Sequence, residues 1–506
     1  MTLQKLFERI PTALIVGDPK LEITGLEYDS RRVKPGEAFF AIRGLIQDGT
    51  RFIPDALARG AVAVVSELSA QSVLSAQTTW VQTADVRRAL ALASCRFYGD
   101  PSHRLKLVGA TGTNGKTTTA YLVASILEAA GCKPGLLGTI EYRPSFGGEG
   151  IRATSHTTPE SLDLQRMLQE IEQIGGQSAV LEVSSHALAL ERVAGCRFHT
   201  AVLTNVSRDH LDFHGDVENY FAAKERLFLP SEETPAPEFA VLNADDPRYE
   251  TLRSQTPSRV VSYALESEAD VKARQWNVSR EGIELTAQTP AGSIELRSLL
   301  LGRHNLYNLL AAIATALTLE VPLEMIREGI APVRVAGRLE AVEAGQPFAV
   351  LVDYAHTAEA LRSLIASVRE WKGEGRLLLV FGCGGDRDRG KRPLMGMAAA
   401  ECDWVMLTSD NPRSEDPLQI MNDVTVGLQK GRANYVVEPD RARAIERALQ
   451  EARAGDTVLI AGKGHETEQI VGDERLPFDD RQVARAVLRR MGFGAAEGSN
   501  SRGAAG

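Results

Sequence analysis

Short apolar runs, each closed by a polar turn bearing glycine, serine or proline, recur along most of the chain and predict buried strands. Stretches with apolar residues at helical spacing separate them. Over residues 1–102, strands are predicted at 38–42 and 61–65 and a helix at 53–59, with polar loops at 28–32 and 43–49. Asp100-Pro101-Ser102 reads as a linker. From 103 to 333 the pattern is repeated strand-then-helix, which predicts a parallel α/β sheet. A third unit, 334–494, carries apolar strands at 377–381, 404–407 and 456–460, each ending in a charged loop, and fits a doubly wound, Rossmann-like sheet. The Gly-, Ala- and Ser-rich tail, 495–506, is expected to be disordered. The expected class is therefore α/β with three domains: a small N-terminal one, a central parallel-sheet one and a Rossmann-like C-terminal one.

The most informative stretch is in the central unit. An apolar run at 105–108 predicts a strand, and Gly112-Thr-Asn-Gly-Lys-Thr117 leads from it into a helix with Leu122, Ile126 and Ala130 on one face. The glycines let backbone N–H groups of Gly112, Thr113, Asn114 and Gly115 point inward at phosphate oxygens, and the helix N-terminus, through Thr118, adds partial positive charge. Lys116 would reach the terminal phosphates of a nucleotide, and the Thr117 hydroxyl would ligate Mg²⁺. In the general G-x-x-x-x-G-K-[ST] pattern the first glycine falls at Ala110, with Gly109 one place upstream. The strand, loop, Lys-Thr and helix nevertheless come in the required order, so the stretch reads as a phosphate loop.

In parallel sheets ligands sit beyond the carboxyl ends of the strands. The run at 178–183 ends in Ser184-Ser185-His186, and that at 200–205 leads to Ser207-Arg-Asp-His210. Thr157 and Thr158 lie in a polar turn before a helix starting near 160. Glu182 falls inside an apolar strand, where a carboxylate is costly unless paired or metal-bound. A salt-bridged core residue and a Mg²⁺ ligand both satisfy that condition. His210 and His214 read as surface histidines, because Mg²⁺ prefers oxygen ligands. By spacing alone Lys224 is a solvated lysine on an amphipathic helix at 220–228, and Glu225 or Arg226 is equally eligible for a role. His304 and Asn305 start a long apolar helix and suit capping or a base edge. In the third unit, cationic loops around Arg387, Asp410-Asn-Pro-Arg413 and Gly462-Lys-Gly-His-Glu466 suggest an acidic ligand.

Composition narrows the setting. A net charge of −9 removes any global pull toward nucleic acid or anionic membrane. The five cysteines, at 95, 132, 196, 383 and 402, are scattered and suit a reducing compartment. No apolar run is long enough for a bilayer span, and the N-terminus has no signal pattern, so a cytoplasmic protein is expected.

Taken together the loops resemble the Mur ligase family, in its type that adds the third residue of the peptidoglycan stem peptide. The likeness runs from about Gly25 to Arg490. It rests on Gly112-Thr-Asn-Gly-Lys-Thr117, Thr157-Thr-Pro159, Glu182-Val-Ser-Ser-His186, Asn205-Val-Ser-Arg-Asp-His-Leu-Asp212, Lys224, His304-Asn-Leu-Tyr-Asn308, Gly337-Arg338, Asp353-Tyr-Ala-His356, Asp410-Asn-Pro-Arg413 and Gly462-Lys-Gly-His-Glu466. The resemblance implies that Glu182 ligates a first Mg²⁺ with Thr117 and that His210 ligates a second. It implies that Lys224 is carbamylated, which makes it an anionic oxygen ligand. Asn305, Arg338 and Asp353 would contact the nucleotide. Ser30, Thr157, Thr158, Ser184 and Arg192 would hold a UDP-N-acetylmuramoyl dipeptide, and Leu190 stands where relatives often carry Gln.

The Asp-Asn-Pro-Arg loop implies meso-diaminopimelate as acceptor. A planar guanidinium can grip its second carboxylate bidentately, with Arg413 as first choice and Arg387 as second. Asn411, Gly462 and Glu466 would complete the pocket, Glu466 facing the distal ammonium. The implied reaction is ATP-dependent amide formation through an acyl phosphate, by a monomer that closes its domains on its substrates. Three rivals remain at this point: a lysine-adding version, a folylpolyglutamate synthetase-like ligase, and a nucleotide switch that makes no amide.

Overall fold

The computed structural model of the chain describes all residues except 9, 11–12, 45–46, 70–77, 155 and 495–506. The tail, part of the polar loop at 43–49 and Ser155 of the turn before Thr157 therefore lie outside the described residues. Among the described residues no helix is long and apolar enough to cross a membrane.

Three sheets follow one another along the chain. The first orders its strands Leu14–Val16, Thr79–Gln82, Ala63–Ser66, Glu37–Phe40 and Gly25–Glu27, all parallel except the first pair. The central sheet has a parallel body in the order Pro134–Leu137, Ser178–Glu182, Lys106–Thr111, Thr200–Leu203, Phe239–Asn243, Arg259–Ala264 and Val271–Ser279. Successive side chains of a strand point to opposite faces. Val108, Val180, Val202 and Val241 accordingly join one core, and Leu107, Leu181, Leu203 and Leu242 the other. Burial on both faces is why these strands read as continuous apolar runs.

Two expectations are corrected here. Strand-then-helix alternation stops at Ala264. Beyond it, Val271–Ser279, Gly282–Thr289 and Gly292–Ser298 form an antiparallel meander. Its last two strands alternate buried and exposed positions, because one face packs on the protein and the other meets water. The helix after the phosphate loop, Lys116–Ala129, is buried on nearly every side from Thr117 to Leu127. Helices His304–Thr318 and Leu323–Ile330 cover the face that an amphipathic pattern would leave in water.

The third sheet orders Glu340–Ala341, Ala349–Asp353, Thr457–Ala461, Leu377–Phe381, Trp404–Leu407 and Tyr435–Val437, parallel except for the first. The last strand in sequence is inserted between the first two long ones. That crossover brings the loops after Asp353, Phe381, Leu407 and Ala461 to one edge. A small hairpin, Glu468–Val471 with Glu474–Pro477, caps that edge.

Candidate active site

The phosphate loop bends where side chains cannot go. Gly112 (φ +146°) and Gly115 (φ +86°) occupy left-handed backbone, and a Cβ at either would collide with Thr204 or Asn308 respectively. Lys116 Nζ curls back to donate to the carbonyls of Gly112 (2.8 Å) and Thr113 (2.9 Å). Register sets the neighbours: Glu182 lies opposite Ala110 and Leu203 opposite Thr111, so both adjoining strands deliver their ends to the loop.

Glu182 is fully buried, yet among the described residues it makes no ion pair. Its Oε1 accepts the Thr139 N–H (2.8 Å), and its Oε2 accepts the hydroxyls of Thr117 (2.8 Å) and Thr139 (3.0 Å). Hydrogen bonds, and no salt bridge among the described residues, satisfy the buried Glu182 carboxylate. Thr139, just past the strand Pro134–Leu137, was not singled out in the sequence; a lone threonine after an apolar run carries no signal. Arg338 reaches over from the third unit and donates to Thr117 Oγ1 (3.3 Å), with its guanidinium 4.5 Å from the Tyr354 ring centre.

Lys224 is not solvated. It is 1% exposed on the helix Val217–Glu225, donates to Gly112 O (2.9 Å) and lies 4.3 Å from the Tyr220 ring centre. Two lysines thus converge on one carbonyl, and among the described residues no carboxylate pairs with either. Burial, and then the charge of Lys116, hold the Lys224 ammonium well below its usual range; burial also lowers Lys116. His210, at φ +53°, packs edge-on to His186 at 4.8 Å and lies 3.5 Å from Asp209. Burial lowers His210 to about 4 against the opposing charge of Asp209, and burial with His210 lowers His186 to about 4.

These groups line a cavity of ≈ 760 Å³, with Thr113 to Thr118, Thr157, Ser184, Arg338 and Asp353 on its wall. That is the size of a site for a nucleotide-sized ligand. Asp353 is spent on backbone, accepting from Leu339 N and Ala355 N (both 2.8 Å). Asn305 lies behind the wall, bonded to Leu301 O and to Asn308 (both 2.7 Å). His304, Tyr307 and Asn308 face the cavity in its place.

The remaining candidates form two neighbouring clusters. Thr158 Oγ1 donates to Glu182 O (2.8 Å) and accepts from Ser184 N (3.0 Å), while Arg192 donates to Thr158 O (2.9 Å) and pairs with Glu160. Ser184 caps the helix Ser185–Ala189. Ser30 is buried in the first unit, in a loop whose Tyr28 hydroxyl reaches Asp163 of the central unit (2.6 Å).

At the edge of the third sheet, Arg413 (φ +52°) donates to Gly385 O (2.7 Å), and its backbone is clamped by Ile470 and Gly472. Among the described residues Arg387 bonds only its own loop, through Asp386 O. Asn411 Nδ2 donates to Glu466 Oε2 (2.9 Å), which also takes the buried Lys463 ammonium (2.8 Å). Gly462 (φ +117°) has room for no Cβ beside Asp410. Two fully buried arginines brace these loops from beneath: Arg441 pairs with Asp480 and bonds Ser409 O and Ala461 O, and Arg392 pairs with Glu415 and Asp423. Gly337 crosses directly on Gly464 and His465, where a Cβ would overlap backbone. That crossing joins the Arg338 loop to the Glu466 loop.

Three family profiles match the chain: Mur ligase family, catalytic domain, over residues 22–98; Mur ligase middle domain over 110–316; and Mur ligase, glutamate ligase domain over 337–464. The chain is 52% identical over 487 residues to the UDP-N-acetylmuramoyl-L-alanyl-D-glutamate--2,6-diaminopimelate ligase of Solibacter usitatus, covering 96% of this chain and 97% of that one. It is 44% identical to the same-named ligase of Geobacillus thermodenitrificans, covering 97% and 99%. A solved UDP-N-acetylmuramoyl-L-alanyl-D-glutamate--2,6-diaminopimelate ligase superposes with a TM-score of 0.68 at 34% identity, covering 97% of this chain and 99% of that chain. The MurF ligase of Thermotoga maritima in complex with ADP, 20% identical with a TM-score of 0.61 over 94% and 98%, shares the fold. On these matches, which span nearly its whole length, the chain belongs to the Mur ligase family.

Proposed function

We propose that the chain is an ATP-dependent ligase that joins meso-diaminopimelate to the D-glutamyl γ-carboxylate of UDP-N-acetylmuramoyl-L-alanyl-D-glutamate. The units at 1–102, 103–333 and 334–494 would bind the UDP moiety, ATP and the amino acid. The observation that carries the reading is the cluster of Arg413, Asn411 and Glu466 at the edge of the third sheet. It offers a guanidinium to a carboxylate and a carboxylate to an ammonium, which is the demand of a second amino-acid head group. Lysine would leave Arg413 without a carboxylate partner, and such mismatches cost on the order of 10⁴ to 10⁵ in discrimination. The lysine-adding alternative is weaker for that reason.

The chemistry begins with an unreactive carboxylate. Its oxygen attacks the γ-phosphorus of ATP, ADP leaves, and an acyl phosphate forms. The amine nitrogen then attacks the acyl carbon, and phosphate departs with one of the original carboxylate oxygens. The protein's work is to hold two anions together and to stabilise the charge that moves between them. The loop N–H groups and Lys116 face the phosphates, Arg338 adds a cation from the opposite unit, and Thr158, Ser184 and Arg192 would orient the dipeptide.

The residues fit Mg²⁺. Magnesium usually takes one or two carboxylates and the substrate's phosphates, so the absence of a preformed His, Cys, Asp and Glu cluster among the described residues is no obstacle. Glu182 is a buried carboxylate with only hydroxyl and N–H partners, beside the Thr117 hydroxyl. When bound, the metal would supply positive charge against the phosphates. His210, 45% exposed on the cavity wall beside Asp209, would turn an imidazole nitrogen to a metal. Burial and the charge of Lys116 shift Lys224 toward the free amine, the form that carbamylation needs. All five cysteines are free thiols, which supports a cytoplasmic setting. A monomer is the expected state.

Mass spectrometry of the product from ATP, UDP-N-acetylmuramoyl-L-alanyl-D-glutamate and either diaminopimelate or lysine tests the reading. Diaminopimelate incorporation alone is expected. Preferred lysine incorporation, or ATP hydrolysis without an amide product, would overturn it.

A further inference from the structure

Lys463 is one of the largest fully buried side chains of the protein, at 0% exposure. Its ammonium donates to Asn411 Oδ1 (3.0 Å), Glu466 Oε2 (2.8 Å) and Glu468 O (2.7 Å). An ammonium has three protons, so all are committed. The second donor to Glu466 Oε2 is Asn411 Nδ2, at 2.9 Å. Among the described residues Glu466 Oε1 accepts no hydrogen bond, and its side chain is 31% exposed. One oxygen is therefore locked to the protein and the other is presented.

We propose that Lys463 is a specificity-determining positioning residue: by holding Glu466 as half of an ion pair, it makes the acceptor pocket select a zwitterionic head group over a bare cation. The proposal rests on the acceptor reading of the loops at 410–413 and 462–466. Its logic is electrostatic. Arg413 and Arg387 bring positive charge to this edge, and Asp386, Asp410 and Glu466 bring negative charge; Lys463 brings the set to neutral, and without it the edge is net negative. At a balanced edge a bare ammonium gains only through a directed bond to Glu466 Oε1, and a ligand that also carries a carboxylate gains a second directed bond from Arg413 or Arg387. Without Lys463, Glu466 becomes an uncompensated anion at the pocket wall. It would then draw in any side chain ending in an ammonium, whether or not a carboxylate accompanies it.

Lysine and meso-diaminopimelate differ at the distal end by that carboxylate, so the pair is the assay. Amide formation with each acceptor is measured for the wild type, Lys463→Met and Lys463→Arg, with melting curves for all three. For Lys463→Met we expect KM for diaminopimelate to rise about tenfold, and the kcat/KM ratio of diaminopimelate to lysine to fall about tenfold or more. The KM values for ATP and the UDP-linked substrate should move less than that for diaminopimelate, because the hydrogen-bond partners of Lys463 among the described residues, Asn411, Glu466 and Glu468, all belong to the acceptor edge. Lys463→Arg keeps the charge and should keep the ratio, even if both rates drop. A merely structural role would lower both acceptors alike in both variants; an unchanged ratio in Lys463→Met overturns the proposal. If Lys463→Met does not fold, Lys463→Gln, which can still bond Asn411, gives the same reading. If the wild type makes no amide with diaminopimelate, the acceptor assignment itself falls, a result distinct from an unchanged ratio.

Discussion

Glu182 offers a clean separation of structural from chemical loss. Replacing it by Gln keeps the side chain's volume. The new carbonyl can accept the Thr139 N–H, and the hydroxyls of Thr117 and Thr139 can rotate to accept from the new amide. Every bond has a substitute, so stability should change by about 1 kcal/mol or less. Glu182→Ala instead strips the acceptor from the Thr139 N–H, which costs about 1–3 kcal/mol for an unsatisfied buried donor, and adds a cavity term. Both variants remove the anion beside Thr117. Loss of one preorganised charge-stabilising group costs about 10² to 10³ in kcat. Phosphate release at saturating substrates, titrated with Mg²⁺, and urea unfolding measure the two effects. Turnover of Glu182→Gln within about threefold of wild type would refute the metal role. Equal stability of the two variants would refute the hydrogen-bond account.

Lys224→Ala should lose about 10²-fold or more in turnover, and wild-type turnover should fall in carbonate-free buffer and recover with bicarbonate; indifference of the wild type to bicarbonate would count against carbamylation. Arg441→Met strands Asp480, which is fully buried, without its counter-charge and should cost about 3–5 kcal/mol in urea unfolding; a loss under about 1 kcal/mol would contradict the bracing role. Burial lowers His186 and His210 to about 4, against an ordinary value near 6.5. Between those values the unfolded chain binds more protons than the folded one, so stability present above about pH 6.5 should drain away as pH falls toward 4. Denaturation midpoints that stay level from pH 7 to 5 would exclude this.

The fold was legible wherever a strand is buried on both faces. The strands at 377–381 and 404–407 fall where the apolar runs predict, and that predicted at 456–460 lies one residue later, at Thr457–Ala461. The meander at 271–298 was missed because its strands expose alternate residues, so no continuous apolar run marks them. Glycine spacing located the phosphate loop, since left-handed backbone demands particular residues. Side-chain destinations were less accessible. Lys224, Glu225 and Arg226 are interchangeable by helical spacing, and only the packing of Tyr220 and the phosphate loop against that helix decides which is buried. Asn305 and Asn308 lie one helical turn apart, and either could have faced the cavity. Lys463 stood in plain view within its motif, but that it turns inward depends on strand order in the third sheet.

The crossing of Gly337 on Gly464 works as a pivot without a cushion. Backbone meets backbone there, and close-packed atoms transmit displacement rather than absorb it. Arg338, the residue after Gly337, holds the Thr117 hydroxyl at the start of the phosphate-loop helix, so the peptide that rests on His465 is tied to that loop. Glu466 is the next residue. A single backbone contact thus stands between the residue that touches the phosphate loop and the residue that grips Asn411 and Lys463, and neither loop can shift at that point without meeting the other.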